Sequence, residues 1–125
     1  MRSIDDYLLI KHTPNGRTFP NLDCWGLIVD YYREIMNIQI NEYTDLTAAN
    51  MSTGLMYERQ SGRFVETKEP MNGDVIAFFV NARLYHVGIY INGRILHTSQ
   101  AKNCRFEQLD RVGHHQLRFY HYVGN

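Results

Sequence analysis

Apolar and aromatic residues recur in steps of three and four through LDCWGLIVDYYREI. Cys24, Ile28, Tyr31, Ile35 and Ile38 form one stripe, with Leu27, Tyr32 and Met36 beside it and Arg33 and Glu34 off it. That spacing predicts an α-helix from about 24 to 37 with one buried face. Asp23 stands where a carboxylate accepts a bond from an unpaired amide of the first turn. A shorter helix is predicted over 3–11: Ser3 and Asp6 resemble a capping box, Ile4, Tyr7 and Leu8 give an apolar face, and Pro14 with Asn15-Gly16 ends it. The stretch TPNGRTFPNL then reads as a loop. Residues 41–69 are patchy, and Leu46, Ala49, Leu55 and Met56 suggest one short helix there, weakened by Gly54.

After the turn EPMNGD the pattern changes from helical to extended. VIAFFV (75–80) is a continuous apolar run, as expected of a strand buried on both faces. LYHVGIYI (84–91) and RILHTS (94–99) flank Asn92-Gly93, a strong hairpin signal, and HQLRFYHYV near the end alternates enough for another strand. No repeat, linker or low-complexity tract divides the chain. Helices followed by an antiparallel sheet make a single α+β domain over 1–125.

The hairpin fixes a register. With Asn92-Gly93 as a two-residue turn, Ile91 faces Arg94, Gly88 faces His97 and His86 faces Ser99. His86, Gly88 and Tyr90 then share a sheet face with Ile95, His97 and Ser99, while Val87, Ile89, Ile91 and Leu96 form the core face. The two histidines become diagonal neighbours, roughly 5–8 Å apart at Cβ, with a glycine clearing the space between them. Each histidine alone reads most simply as a half-buried polar residue; together they suit a metal site or a proton relay.

Composition narrows the chemistry. Among 125 residues, 44% are hydrophobic and 21% charged, ordinary for one globular domain. Thirteen basic and thirteen acidic side chains cancel without like-charged runs, which argues against a nucleic-acid partner. The first residues lack the apolar run of a signal peptide and no stretch approaches a membrane span, so synthesis in a cytoplasm without membrane insertion is expected. Cys24 and Cys104 form no CxxC, and no HxxxH pair occurs, so neither a zinc site nor any other cofactor is expected. Cys24 would open the helix, where free amides and the helix dipole favour a thiolate, although a buried structural cysteine is the simpler reading of that residue alone. Cys104 lies between Lys102 and Arg105, away from any helix start, and reads as structural or exposed. A cysteine, a histidine and a group that orients the histidine are what nucleophilic acyl transfer needs, and a helix start adds amides for an oxyanion.

DCWGLI at 23–28, NGDVIAFF at 72–79, HVGIYING at 86–93 and ILHTS at 95–99 resemble, in order and spacing, the four signature blocks of the NlpC family of cell-wall cysteine peptidases. The resemblance implies a papain-like fold and hydrolysis of amide bonds in peptidoglycan stem peptides. It makes Cys24 the nucleophile, His86 the general base, His97 the residue orienting it, and Asp23 a partner for a substrate amine as well as a helix cap. Trp25 stands where family members usually have serine, and the tyrosine often found upstream is absent near Thr13. The DCWGLIVDYYRE form looks like the branch found in tail-tip assembly proteins of lambda-like phages. That implies a phage tail or prophage component acting in the virion tail or at the cell wall, with tail-tip proteins as partners. The rival expectations are a toxin-like amidase effector delivered by a secretion system and a non-catalytic tail-tip module.

Overall fold

The computed structural model describes residues 2–43, 53–111 and 116–124. Its α-helices are α1, Cys24–Glu34, and α2, Thr53–Gln60. Three short strands precede α1: β1 (Lys11–His12), β2 (Arg17–Thr18) and β3 (Asn21–Leu22). The main sheet comprises β4 (Phe64–Thr67), β5 (Val75–Val80), β6 (Arg83–Ile91), β7 (Arg94–Ser99), β8 (Asn103–Gln108) and β9 (Gln116–Tyr122). Its order is β4-β9-β5-β6-β7-β8, with every neighbouring pair antiparallel. The expected α+β architecture is the observed one. No described helix is long and apolar enough to cross a membrane.

Both faces of the sheet carry buried apolar residues. Leu27, Ile28 and Tyr31 of α1 belong to one buried cluster with Val87, Ile89, Ile91 and Leu96, and α1 packs on β6 and β7. The opposite face holds Ile76, Phe78 and Ile95 under Tyr90, Leu117 and Phe119. This accounts for the unbroken apolar run of β5.

Several boundaries differ from the sequence reading for identifiable reasons. The first helix is a 3-10 segment over Ile4–Leu9, not an α-helix to residue 11. The Ser3 amide donates to Asp6 Oδ2 at 2.9 Å, but Lys11 and His12 pair in parallel with Asn21 and Leu22 and so leave the helix. The expected loop over 13–22 contains β2 and β3, which pair antiparallel. Helix α1 stops at Glu34: Asn37 takes a left-handed φ of 58°, and the Ile38 amide folds back onto the Tyr32 carbonyl at 2.8 Å. Helix α2 includes the anchors Leu55 and Met56; Leu46 and Ala49 lie outside the described residues. Strands β4 and β8 were not expected at all.

Gly54 is explained by packing. A Cβ there would lie 2.6 Å from the Trp25 ring, so a glycine lets α2 approach the indole. The indole also donates through Nε1 to the Asn41 carbonyl at 3.0 Å.

A buried carboxylate ties the N-terminal segment to α1. Asp30, fully enclosed, accepts two bonds from Arg2 (2.7 and 2.9 Å), one from the Tyr7 hydroxyl (2.7 Å) and one from Arg33 (3.0 Å). Removing the acceptor strands a buried hydroxyl and frees two cations. Asp30→Ala should therefore cost about 3 kcal/mol, while Tyr7→Phe, which removes one bond, should cost about 1 kcal/mol. Urea unfolding of both variants checks the order; equal small losses would show that the carboxylate is not a structural anchor.

Candidate active site

Asn92 and Gly93 both take positive φ, 51° and 80°, as the expected two-residue hairpin turn requires. The ladder then runs Ile91↔Arg94, Tyr90↔Ile95 and Ile89↔Leu96, the register read from the sequence. On the opposite side of β6 a bulge falls between Phe78 and Phe79. Phe78 faces His86 and Phe79 faces Leu84, leaving Tyr85 as the extra residue.

His86 and His97 meet as that register requires. Nε2 of His86 lies 2.9 Å from Nδ1 of His97. Gly88 makes the approach possible, since a Cβ there would sit 3.0 Å from that of His97 and 2.9 Å from an Ile95 methyl. Phe78 packs edge-on to the His86 ring, 4.8 Å between centroids, and stacks nearly parallel to His97 at 5.5 Å. The pair does not end the chain of contacts. Nε2 of His97 lies 2.9 Å from Oε1 of Glu107, and Arg105 holds that same oxygen with Nε and Nη2, each at 2.9 Å. Burial lowers the pKa of His97, and the charge of Arg105 lowers it further against the pull of Glu107, so its ring is neutral near pH 7. Partial burial works to raise the Glu107 pKa; the His97 bond and Arg105 outweigh it and hold the carboxyl below its ordinary range.

Cys24 opens α1, which packs on β6 and β7. Bonded and non-bonded pairs alternate along an antiparallel ladder. After Ile89, the next β6 amide directed toward β7 is that of Val87. That amide and the amide of Trp25 act on the Cys24 thiol and favour its anion.

Around it, Asp23 caps α1 as expected. Its Oδ1 accepts the Gly26 amide at 2.7 Å and Nη1 of Arg17 at 2.6 Å. Oδ2 is buried and has no hydrogen-bond partner among the described residues. The Gly26 amide is taken by this carboxylate and the Leu27 amide by the Asp23 carbonyl. Of the four first-turn donors, those of Cys24 and Trp25 are left uncommitted to helix or cap.

The expectation that the helix start favours a thiolate is overturned. Burial is the largest influence on Cys24, and with the Asp23 charge it pushes the pKa up to about 12 against the two amides and Arg17. At 1% exposure the loss of solvation outweighs the helix end. Cys104 is also a core residue rather than an exposed one. Burial raises its pKa to about 12 as well, despite Arg105 beside it.

The remaining histidines do other things. His12 Nδ1 lies 3.2 Å from the Thr98 hydroxyl, and burial lowers its pKa against the charge of Asp23. His121 pairs with buried Asp74 at 2.6 Å, while His114 and His115 lie outside the described residues. Among the described residues, no group of three or more histidine, cysteine, aspartate or glutamate side chains is placed to hold a metal ion. Sequence reasoning missed Glu107, Arg105, Arg17 and His12. The first two had a signal, the alternation of Cys104 and Phe106 with Arg105 and Glu107, which pairs β8 with β7 and puts Arg105 opposite His97 and Glu107 opposite Ile95.

The fold and motifs agree with two comparisons. The crystal structure of the NlpC/p60 domain of the peptidoglycan hydrolase SagA superposes with a TM-score of 0.58 at 15% identity, covering 91% of each chain. No curated protein sequence matches the chain. The NlpC/P60 family model matches residues 11–121, from β1 through β9 and across every residue of the site just described, and the chain belongs to that family.

Proposed function

We propose that this protein is a cysteine peptidase that hydrolyses amide bonds in the stem peptides of peptidoglycan. The observation that carries the reading is a histidine pair, His86 on β6 and His97 on β7, bonded at 2.9 Å on the sheet against which the helix opened by Cys24 packs. Family membership and the description of the SagA domain as a peptidoglycan hydrolase supply the substrate class.

In this reading His86 takes the Cys24 proton as the sulfur attacks the scissile carbonyl carbon. The amides of Cys24 and Trp25 face the oxyanion. His86 then delivers the proton to the departing amine, leaving a thioester that water hydrolyses with His86 again as base. His97 orients His86. Asp23 receives a substrate amine, and its unpartnered Oδ2 supports that role. A phage-tail or prophage setting, with action in the virion tail or at the cell wall and tail-tip proteins as partners, rests on the DCWGL form. A toxin-like delivered amidase would use the same chemistry. The depth at which Cys24 is buried favours a second reading, a tail-tip module without catalysis.

Digesting purified peptidoglycan and identifying the products by mass spectrometry separates these. New amine termini within stem peptides are the expected result, and intact peptidoglycan at every pH would favour the non-catalytic module. Cys24→Ala should abolish hydrolysis while Cys104→Ala keeps most of it; the reverse would overturn the assignment, since both thiols are equally disfavoured as anions and only the neighbouring base separates them.

The histidines should separate too. His86→Gln removes the proton carrier and should cost about 10²–10⁴-fold in rate. His97→Asn or His97→Gln can still accept from His86 and should retain measurable turnover. Equal loss at both positions, or activity stopped by a chelator, would point to a metal-dependent reaction instead.

A further inference from the structure

We propose that the end of the β5–β6 hairpin binds the departing part of the substrate, with Val80 and Tyr85 against an aliphatic chain and Arg83 on a carboxylate at the end of that chain. The inference rests on the reading of His86 as the base and deepens it by naming the chemistry of the departing residue.

The hairpin closes on Asn81 and Ala82, both left-handed at φ 52° and 65°, so that Val80 faces Arg83. One step in, Phe79 faces Leu84, and both pack in the cluster on the α1 side of the sheet. Val80 and Arg83 therefore lie on the other face, in the row that Ile76 and Phe78 begin. Counting on from Leu84 puts Tyr85 on that face, and counting back from buried Val87 puts His86 there as well. The bulge is what lets two successive residues share it. The rings agree with this count. Tyr85 lies 6.2 Å from His86 and 6.3 Å from Phe78, centroid to centroid.

This end of the row is open. Phe78 is 2% exposed, whereas Val80 and Tyr85 are 44% and 43% exposed. Exposed apolar side chains scattered singly are ordinary, but these two stand on paired strands at one hairpin end and adjoin the proposed base. Arg83 is exposed beside them, and among the described residues its guanidinium has no ion-pair partner.

The order of events in the proposed mechanism assigns the ligand. His86 gives its proton to the leaving amine, which brings that amine within about 3 Å of the ring. The side chain of the same residue then comes within reach of Tyr85. An aromatic face accepts methylene groups or a cation. Arg83 repels a cation and pairs with a carboxylate, so the departing residue is one whose aliphatic chain ends in a carboxylate. With Asp23 taking an amine on the acyl side, the two ends of the site carry opposite charges and fix the direction in which the peptide lies.

Binding to the Cys24→Ala chain tests this apart from catalysis. Carbon-13 NMR would follow the Val80 methyls and the Tyr85 ring during titration with a synthetic stem tetrapeptide whose carboxyl groups are free, and with the same peptide amidated. Both signals should move with the free peptide, and amidation should weaken binding about fivefold. Arg83→Gln should weaken the free peptide by a similar factor and leave the amidated one unchanged. Tyr85→Ser should weaken both about tenfold, and Tyr85→Phe neither. No binding of the free peptide, unmoved Val80 and Tyr85 signals, equal affinity for the two peptides, or a preference that survives Arg83→Gln would overturn the proposal; so would full affinity in Tyr85→Ser. Undigested peptidoglycan with these shifts intact would remove the catalytic reading and keep the binding surface. Digestion by the wild type with the shifts absent would remove the binding surface alone.

Discussion

The register of the β6–β7 hairpin is the constraint from which the site follows. Asn92 and Gly93 fix it by adopting left-handed φ together, and a slip of one residue would turn Val87, Ile89 and Leu96 out of the core. With the register set, the side chains of His86 and His97 have to meet, and Gly88 has to be small. The same ladder determines what α1 finds when it packs on the sheet. The ordered pairs end at Ile89↔Leu96, and the next inward amide, on Val87, is available to Cys24. The proposed nucleophile and base thus come from opposite halves of the chain, and a two-residue turn sets where the proposed base stands.

The electrostatics are set by burial more than by charge. Cys24 sits on a helix N-terminus beside Arg17, both of which favour a thiolate, yet the enclosing core reverses the balance. Asp23 adds to that reversal, since a buried carboxylate next to a thiol resists a second negative charge. Arg17 in turn pairs with Asp23 at 2.6 Å, and the cap and the ion pair share one carboxylate oxygen. In the proposed mechanism the sulfur is protonated at rest and loses its proton only when a carbonyl arrives. On the histidine side the contacts continue from His86 through His97 to Glu107.

The central part of this arrangement was legible in the sequence because it depends on local chemistry. Asp23, the stripe from Cys24 to Ile35 and the Asn92-Gly93 turn specify a cap, a helix and a hairpin, and the diagonal histidines follow arithmetically. The parts that were not legible depend on pairing at a distance. Strand β8 follows a turn without glycine and opens on Asn103 at a positive φ of 56°, so the alternation around Arg105 and Glu107 was the one hint of it. Lys11 and His12 read as helix because nothing nearby in sequence shows that Asn21 and Leu22 lie alongside. The state of the thiol failed for a similar reason, since a helix start is visible in sequence and the depth of its burial is not. Trp25, which departs from the usual family residue, is accounted for by its bond to Asn41 and its fit over Gly54.

The most direct measurement is the ultraviolet thiolate absorbance of the Cys104→Ala variant as a function of pH, with the Cys24→Ala, Cys104→Ala double variant as blank. A thiol kept protonated by burial predicts no Cys24 thiolate signal through neutral pH and its appearance only in strongly alkaline solution, toward a value of about 12. A full thiolate signal already present in mildly acidic solution would show that sulfur and imidazole rest as an ion pair, and would contradict the proposal that burial keeps the nucleophile protonated until substrate binds.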